Sequence, residues 1–141
     1  MQGEGLRLPR GVVRDQLQVD TNGLDNAGGF TTLVYEPANN PADNPVLQDQ
    51  WQFFNATNGN WWSTRAITCN GGLFTLAPGA GGPPFTTPNT VAVGCPGAQV
   101  LQIGVNIGSG ATGVNTVATD GLRINIVGAD DASTNFESGP K

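Results

Sequence analysis

The sequence predicts an all-β protein, an antiparallel β-sandwich of jelly-roll type with long Gly/Pro loops. Only 12% of the 141 residues are charged, while 21 are Gly and 10 are Pro, a composition typical of short strands joined by many turns. Apolar residues alternate with polar ones in several segments, and no segment has a helical period. Asn-Gly pairs at 22–23, 58–59 and 70–71 provide residues suited to positive φ in tight turns.

The length favours a single domain with one core. We expect residues 1–11 to form a loosely ordered N-terminal arm, residues 12–137 to form the sandwich, and residues 138–141 to be a disordered tail. No apolar run approaches the roughly 20 residues of a membrane-spanning helix, so no membrane insertion is expected.

The first predicted strand is 12–20, where Val13, Leu17 and Val19 alternate with polar residues. Further short strands are predicted at 30–35, 50–54, 60–68, 73–76 and 90–93. Residues 77–88 are predicted to form a long Gly/Pro loop.

The clearest strand is 99–107, in which Leu101, Ile103, Val105 and Ile107 share one face. Residues 121–127 repeat this pattern. We therefore expect these two strands to be neighbours or to face each other across the core.

The aromatic residues supply the candidate ligand site. Trp51 and Phe53 share a face and are predicted to lie in the core. Trp61 and Trp62 are consecutive, so on a strand they point to opposite faces and at most one belongs to the core. The other is either covered by a loop or the N-terminal arm, or exposed near Tyr35 as a stacking platform for a sugar.

Arg65 is the fourth candidate ligand-binding residue. On the predicted strand it shares a face with Trp61, and it is expected either to stack on that ring or to pair with Glu36. Glu36, Asp49 and Asp120 are the carboxylates flanked closely by apolar residues or turns. Nothing in their spacing brings two of them together as a glycoside hydrolase requires, so a non-enzymatic protein is predicted.

Several function classes are excluded by composition. The chain has no histidine and a single lysine, Lys141, which excludes imidazole bases, Ser-His-Asp triads and His-containing zinc sites. A net charge of −5 and five scattered arginines make nucleic acid an unsuitable partner.

Cys69 and Cys95 flank the Gly/Pro-rich loop without CxxC spacing. A disulfide is the leading interpretation and two buried thiols are the alternative. A disulfide, together with the scarcity of charge, suits an extracellular protein.

A weak calcium motif surrounds the first Asn-Gly pair. Asp20, Asn22 and Asp25 place oxygen atoms around a turn, as a hard cation needs. The register of a calcium loop is not kept and no bidentate Glu follows, so a plain hairpin turn is favoured.

Four segments carry a family resemblance. They are GGFTTLVYEP at 28–37, WQ at 51–52, WWSTRAI at 61–67 and GVNIGSG at 104–110. Over residues 18–137 the chain resembles secreted bacterial cell-surface domains of uncharacterised function. The resemblance implies an extracellular β-rich module and brings no catalytic residues.

The resemblance also implies additional strand sequence ahead of Leu17, where this chain has only sixteen residues. Either an edge of the sheet is open to another chain, or residues 5–14 supply the strand.

Together these features predict a non-enzymatic extracellular attachment or recognition module, with glycan as the leading ligand. The alternative is a self-assembling subunit, joined through a sheet edge or the N-terminal strand into a filament or shell. A glycoside hydrolase is the third class.

Overall fold

The computed structural model describes residues 13–23, 27–43, 46–47, 50–107, 122–124 and 132–134. The strands in these ranges are β1 (Val13–Asp20), β2 (Phe30–Tyr35), β3 (Trp61–Ser63), β4 (Ile67–Cys69), β5 (Phe74–Leu76), β6 (Gln99–Ile107), β7 (Leu122–Ile124) and β8 (Ala132–Thr134), with one helix, α1 (Pro88–Gly94), between β5 and β6. The described residues therefore consist mainly of β-strands, which confirms the predicted all-β class.

The main sheet has the strand order β3-β2-β1-β6, and every neighbouring pair is antiparallel. β4 pairs with β5 and β7 pairs with β8 in two separate hairpin-like sheets. The predicted strands at 12–20, 30–35, 73–76 and 99–107 are therefore confirmed to within one residue or two at each end, and 121–127 is confirmed over Leu122–Ile124. The predicted adjacency of 99–107 and 121–127 is not found as strand pairing, because β6 pairs with β1 and β7 with β8.

The pairing register divides the main sheet into two faces. Leu17 lies opposite Leu33, and Tyr35 lies opposite Trp61. Because paired residues of antiparallel strands project to the same side, these four share one face, called here the core face. Val34 and Trp62 form another pair and belong to the second face.

The core face packs against side chains of β4 and α1 and against Cys95. Val19, Leu33, Tyr35 and Trp61 form one buried cluster with Ile67, Cys69, Val91 and Cys95. The latter four come from β4, α1 and the residue after α1. The β4–β5 hairpin turns at Asn70 and Gly71, both with positive φ, as its Asn-Gly pair predicts.

Helix α1 replaces the predicted strand at 90–93, and that prediction is wrong. The side chain of Thr87 accepts a hydrogen bond from the backbone N–H of Thr90, and Pro88 occupies the first turn. A capping Thr followed by Pro is a helix-start signal that outweighs the β-branched residues Thr90 and Val91. The helix buries Val91 against the core.

Three other strand predictions are corrected. Residues 51–56 have no strand pairing. The predicted strand 60–68 is divided into β3 and β4 by a bend at 64–65. In the pairing of β6 with β1, consecutive β1 residues lie opposite Gln102 and Val100, so Leu101 is an unpaired bulge residue. Leu101 was predicted to face inward with Ile103, but its side chain is 44% exposed.

The predicted N-terminal arm 1–11 and tail 138–141 lie outside the described residues. Among the helices of the described chain, none is long and apolar enough to cross a membrane.

Candidate functional site

Among the described residues, the most exposed aromatic side chains lie in the segment 51–57. Exposure alternates along it, with Trp51, Phe53, Asn55 and Thr57 exposed and the residues between them partly buried. Trp51 is 74% and Phe53 86% exposed. The prediction that these two rings lie in the core is therefore wrong, although the predicted alternation is present. We call Trp51 and Phe53 the aromatic surface.

The inward residues of the segment explain this outcome. Phe54 and Ala56 pack against the core cluster, and the carbonyl of Ala56 accepts a hydrogen bond of 2.7 Å from the Trp61 indole Nε1. Since side chains alternate in extended chain, docking Phe54 and Ala56 inward turns Trp51 and Phe53 outward.

The two consecutive tryptophans do point to opposite faces, but neither is a solvent-facing platform. Trp61 is 3% exposed and Trp62 8% exposed. Tyr35 is fully buried, with its ring 5.4 Å from that of Trp61. Of the two alternatives for the tryptophan outside the core, coverage rather than exposure is the one observed.

A loop of residues 79–86 packs against Trp62 at Gly79 and is called here the covering loop. The backbone of Thr86 exchanges two hydrogen bonds with that of Trp61, and Gly79 N–H donates to the Ser63 carbonyl at 2.8 Å. The two ends of the loop are therefore held on either side of Trp62. Within the loop, the Gly81 carbonyl accepts a hydrogen bond from the Asn39 side chain.

Arg14 and Glu36 lie on the second face beside Trp62. Arg14 Nε is 2.5 Å from Glu36 Oε1. The contact is an ion pair rather than an aligned hydrogen bond. The other oxygen, Oε2, accepts from Asn39 Nδ2. The Arg14 guanidinium carbon is 6.0 Å from the Trp62 ring centroid.

Arg65 takes neither of its two predicted partners. Its guanidinium lies over the Phe30 ring, 5.5 Å from the centroid. The bend after β3 carries Arg65 out of the strand, and Glu36 is already paired with Arg14. Arg65 is exposed, so it remains accessible.

Two aspartates, Asp15 and Asp43, lie next to Tyr35. The Tyr35 hydroxyl donates to Asp43 Oδ2, and Asp15 lies opposite Tyr35 in the β1–β2 ladder. Burial, and secondarily the Asp43 carboxylate, raises the pKa of Asp15. Partial desolvation raises the pKa of Asp43 as well. Asp43 is thereby engaged in holding a core tyrosine.

The predicted calcium ligands Asp20 and Asn22 are engaged in a turn. Asp20 Oδ1 accepts the backbone N–H of Asn22, whose side-chain amide donates to the Ala27 carbonyl. Asp25 lies outside the described residues, as do Asp49 and Asp120. In the described ranges, no group of three or more His, Cys, Asp or Glu side chains is arranged to hold a metal ion.

Cys69 and Cys95 form a disulfide with a Cα–Cα distance of 5.1 Å, as predicted. It joins the end of β4 to the residue that follows α1, close to the end of the Gly/Pro-rich stretch. A disulfide suits a protein of an oxidising compartment.

The sequence contained signals for the residues that its interpretation missed. Phe54 and Ala56 are apolar and alternate with the parity opposite to that of Trp51 and Phe53, so the sequence offered either pair as the inward one.

Comparison with known proteins yields no match: no protein-family model fits the chain, and no similar curated protein or solved structure is found.

Proposed function

We propose that this protein is a non-enzymatic extracellular recognition module, a β-sandwich that binds glycan through Trp51 and Phe53. The observation that carries the proposal is the outward orientation of two large rings on a segment whose alternate residues are fixed in the core. Exposing such rings costs solvation free energy, and a bound partner that covers them recovers it.

The chemistry around these rings suits a carbohydrate. Two residues apart in extended chain, the Cα atoms of Trp51 and Phe53 are about 6.6 Å apart, so the two exposed rings together offer a surface on which sugar rings can stack. Asn55 and Thr57 are exposed on the same side. The Asn55 Oδ1 accepts the Thr57 backbone N–H, which fixes the Asn55 side chain and leaves its amide N–H groups directed elsewhere as donors for hydroxyl groups.

Retention on insoluble polysaccharides tests the proposal. Cellulose, chitin and xylan are incubated with the wild-type protein and with Trp51→Ala and Phe53→Ala. We expect each variant to lose at least about tenfold in affinity for the polysaccharide that retains the wild type, equivalent to about 1.4 kcal/mol. Leu73→Ala is the matched control, because Leu73 is 84% exposed but lies in the β4–β5 hairpin.

Unchanged retention in both aromatic variants would overturn the aromatic surface as the binding site. The supernatants of the same incubations are assayed for new reducing ends. We expect none, and their release by the wild type would show that the protein is an enzyme.

The second candidate, a self-assembling subunit, is favoured by β6. In the described part of the chain, β6 pairs on one side only, with β1. Its nine residues include no charge and no proline, and Val100 is 63% exposed. Natural sheet edges usually carry charge or proline to prevent strand addition, so an uncharged strand of this length is suited to pairing with a second copy.

Light scattering across a concentration series tests assembly. A particle of several chains that Val100→Lys disperses supports it, and Val93→Lys, placed on the exposed surface of α1, is the control. A monomer at every concentration contradicts assembly and leaves the recognition module.

A further inference from the structure

The indole N–H of Trp62 is a buried donor without an acceptor. Trp62 is 8% exposed, and its Nε1 has no hydrogen-bond partner. The contrast with Trp61 is direct, because Trp61 Nε1 donates to a carbonyl at 2.7 Å. Leaving a buried N–H unpaired costs about 1–3 kcal/mol, so an oxygen atom that reached Trp62 would gain a hydrogen bond that the closed protein lacks.

The covering loop packs against Trp62, since a Cβ added at Gly79 would lie 2.8 Å from the Trp62 Cβ. Its ends are held by backbone hydrogen bonds to the residues on either side of Trp62, whereas its central part is held by the single hydrogen bond from Asn39 to the Gly81 carbonyl. Opening the centre of the loop therefore breaks fewer hydrogen bonds than detaching its ends. Gly79, Gly81 and Gly82 give this loop backbone freedom.

The groups beside Trp62 offer both donors and acceptors without net charge. Arg14 directs Nε toward Glu36, and a guanidinium has further N–H donors. The two carboxylate oxygens of Glu36 are acceptors, already engaged by Arg14 and Asn39. The Arg14–Glu36 pair has no net charge. An anion would be repelled by Glu36 and a cation by Arg14, so a neutral ligand with hydroxyl groups suits the pair better than an ion does.

We propose that Trp62, Arg14 and Glu36 form a second binding position, for a single sugar residue, which becomes accessible when the covering loop opens. The assignment deepens the proposed function, since it concerns the same ligand class, and it rests on that function. It is nevertheless a separate position: Trp62 belongs to the second face, whereas the segment of Trp51 docks on the core face through Ala56.

Loop opening sets the affinity at this position. The closed loop buries the Trp62 ring, so ligand binding must supply the free energy of exposing it. The apparent affinity is lowered by the fraction of molecules that are open. A substitution that favours the open loop should therefore tighten binding without touching the sugar.

Gly79→Ala is such a substitution. A Cβ at Gly79 would lie 2.8 Å from the Trp62 Cβ and 2.5 Å from the Gly82 carbonyl oxygen, so the closed loop cannot accept it unchanged. Gly82→Ala is the matched control in the same loop, because a Cβ there meets nothing within 4 Å. Neither position has the positive φ that would strain alanine by itself.

The experiment uses the full chain carrying both Trp51→Ala and Phe53→Ala, so that the aromatic surface is removed and the remaining indole emission comes from Trp61 and Trp62. Cellohexaose, chitohexaose and maltohexaose are titrated against this background, alone and combined with Gly79→Ala or Gly82→Ala, while tryptophan emission is recorded. We expect a saccharide-dependent shift in emission, with binding about tenfold tighter in the Gly79→Ala protein. We expect no tightening with Gly82→Ala and no shift in a Trp62→Phe version of the Gly79→Ala protein.

Emission that none of the three saccharides changes in the Gly79→Ala protein would overturn the second position, and so would a shift that persists after Trp62→Phe. Neither result bears on the aromatic surface, which has already been removed in this background. Failure of the aromatic surface as a binding site is seen separately, as unchanged polysaccharide retention by both Trp51→Ala and Phe53→Ala.

Circular dichroism and the unfolding midpoint of Gly79→Ala show whether the protein is folded. If it is not, Asn39→Ala, which removes the central tie of the loop, is used in its place.

Discussion

Trp61 donates its indole N–H to the carbonyl of Ala56, and this 2.7 Å hydrogen bond joins β3 to the segment that presents the aromatic surface. The bond crosses only five residues of sequence, yet it ties an unpaired extended segment to the main sheet. The inward position of Ala56 is thereby fixed, and with it the outward orientation of Trp51 and Phe53.

Trp61→Phe should lower the free energy of unfolding by about 1–3 kcal/mol, because the Ala56 carbonyl loses its donor in a partly buried position. Trp62→Phe is the matched control: the same atoms are removed from a buried indole, but its Nε1 has no partner to lose. Urea unfolding measures both. Equal losses in the two variants would show that the Trp61 hydrogen bond does not stabilise the fold.

The aromatic segment shows how far sequence reasoning reaches. Its period of two was predictable from alternating apolar residues, whereas its parity was not, because Trp51 and Phe53 on one side and Phe54 and Ala56 on the other are both apolar sets. A shift of one residue exchanges the two faces completely. The deciding contacts, with Trp61 and the core cluster, are tertiary.

Helix α1 and the contact of Arg65 differ in how far they could be predicted from the sequence. The capping signal of Thr87 and Pro88 was present in the sequence and is local, so the helix was predictable. The partner of Arg65 was not, because it depends on a bend that divides the predicted strand 60–68. Strands β1, β2, β5 and β6 and the disulfide were predicted correctly, since they follow from local alternation and from the pair of cysteines.

Asp15→Asn should stabilise the protein at neutral pH. Burial and the neighbouring Asp43 raise the pKa of Asp15, so the folded state holds this proton more tightly than the unfolded chain does. Stability is then highest below the ordinary pKa of aspartate and falls as the pH rises through the raised value. Asparagine has no such titration, so thermal unfolding at about pH 7 should show a gain that disappears near pH 3. A loss at neutral pH, or an equal gain at both values, would contradict this account.

Replacing both cysteines by alanine should cost about 3.5 kcal/mol of stability. The disulfide closes a loop of 26 residues, and the estimate is the chain entropy that this closure removes from the unfolded state. Urea unfolding of Cys69→Ala/Cys95→Ala against the wild type measures the loss. A double variant as stable as the wild type would show that packing of α1 through Val91 holds this region without the cross-link.

Ser63→Ala should destabilise the fold more than Thr64→Ala, although the two hydroxyl groups are adjacent in sequence. Ser63 is fully buried; its hydroxyl donates to the Arg65 carbonyl at 2.6 Å and lies 2.7 Å from that of Thr31. Its removal deprives the Arg65 carbonyl of its donor in a partly buried position, at about 1–3 kcal/mol.

Thr64 is exposed, and its hydroxyl accepts the Thr32 backbone N–H, a role that water can assume in its absence. Urea unfolding of both variants gives the comparison, and similar losses would mean that the buried hydroxyl pair does not hold the bend. Because this bend carries Arg65 out of β3 and onto Phe30, Ser63→Ala should also release Arg65 from that ring. An Arg65 that keeps its contact with Phe30 in the variant would show that the bend is fixed by the backbone hydrogen bond from Thr64 to Thr32 instead.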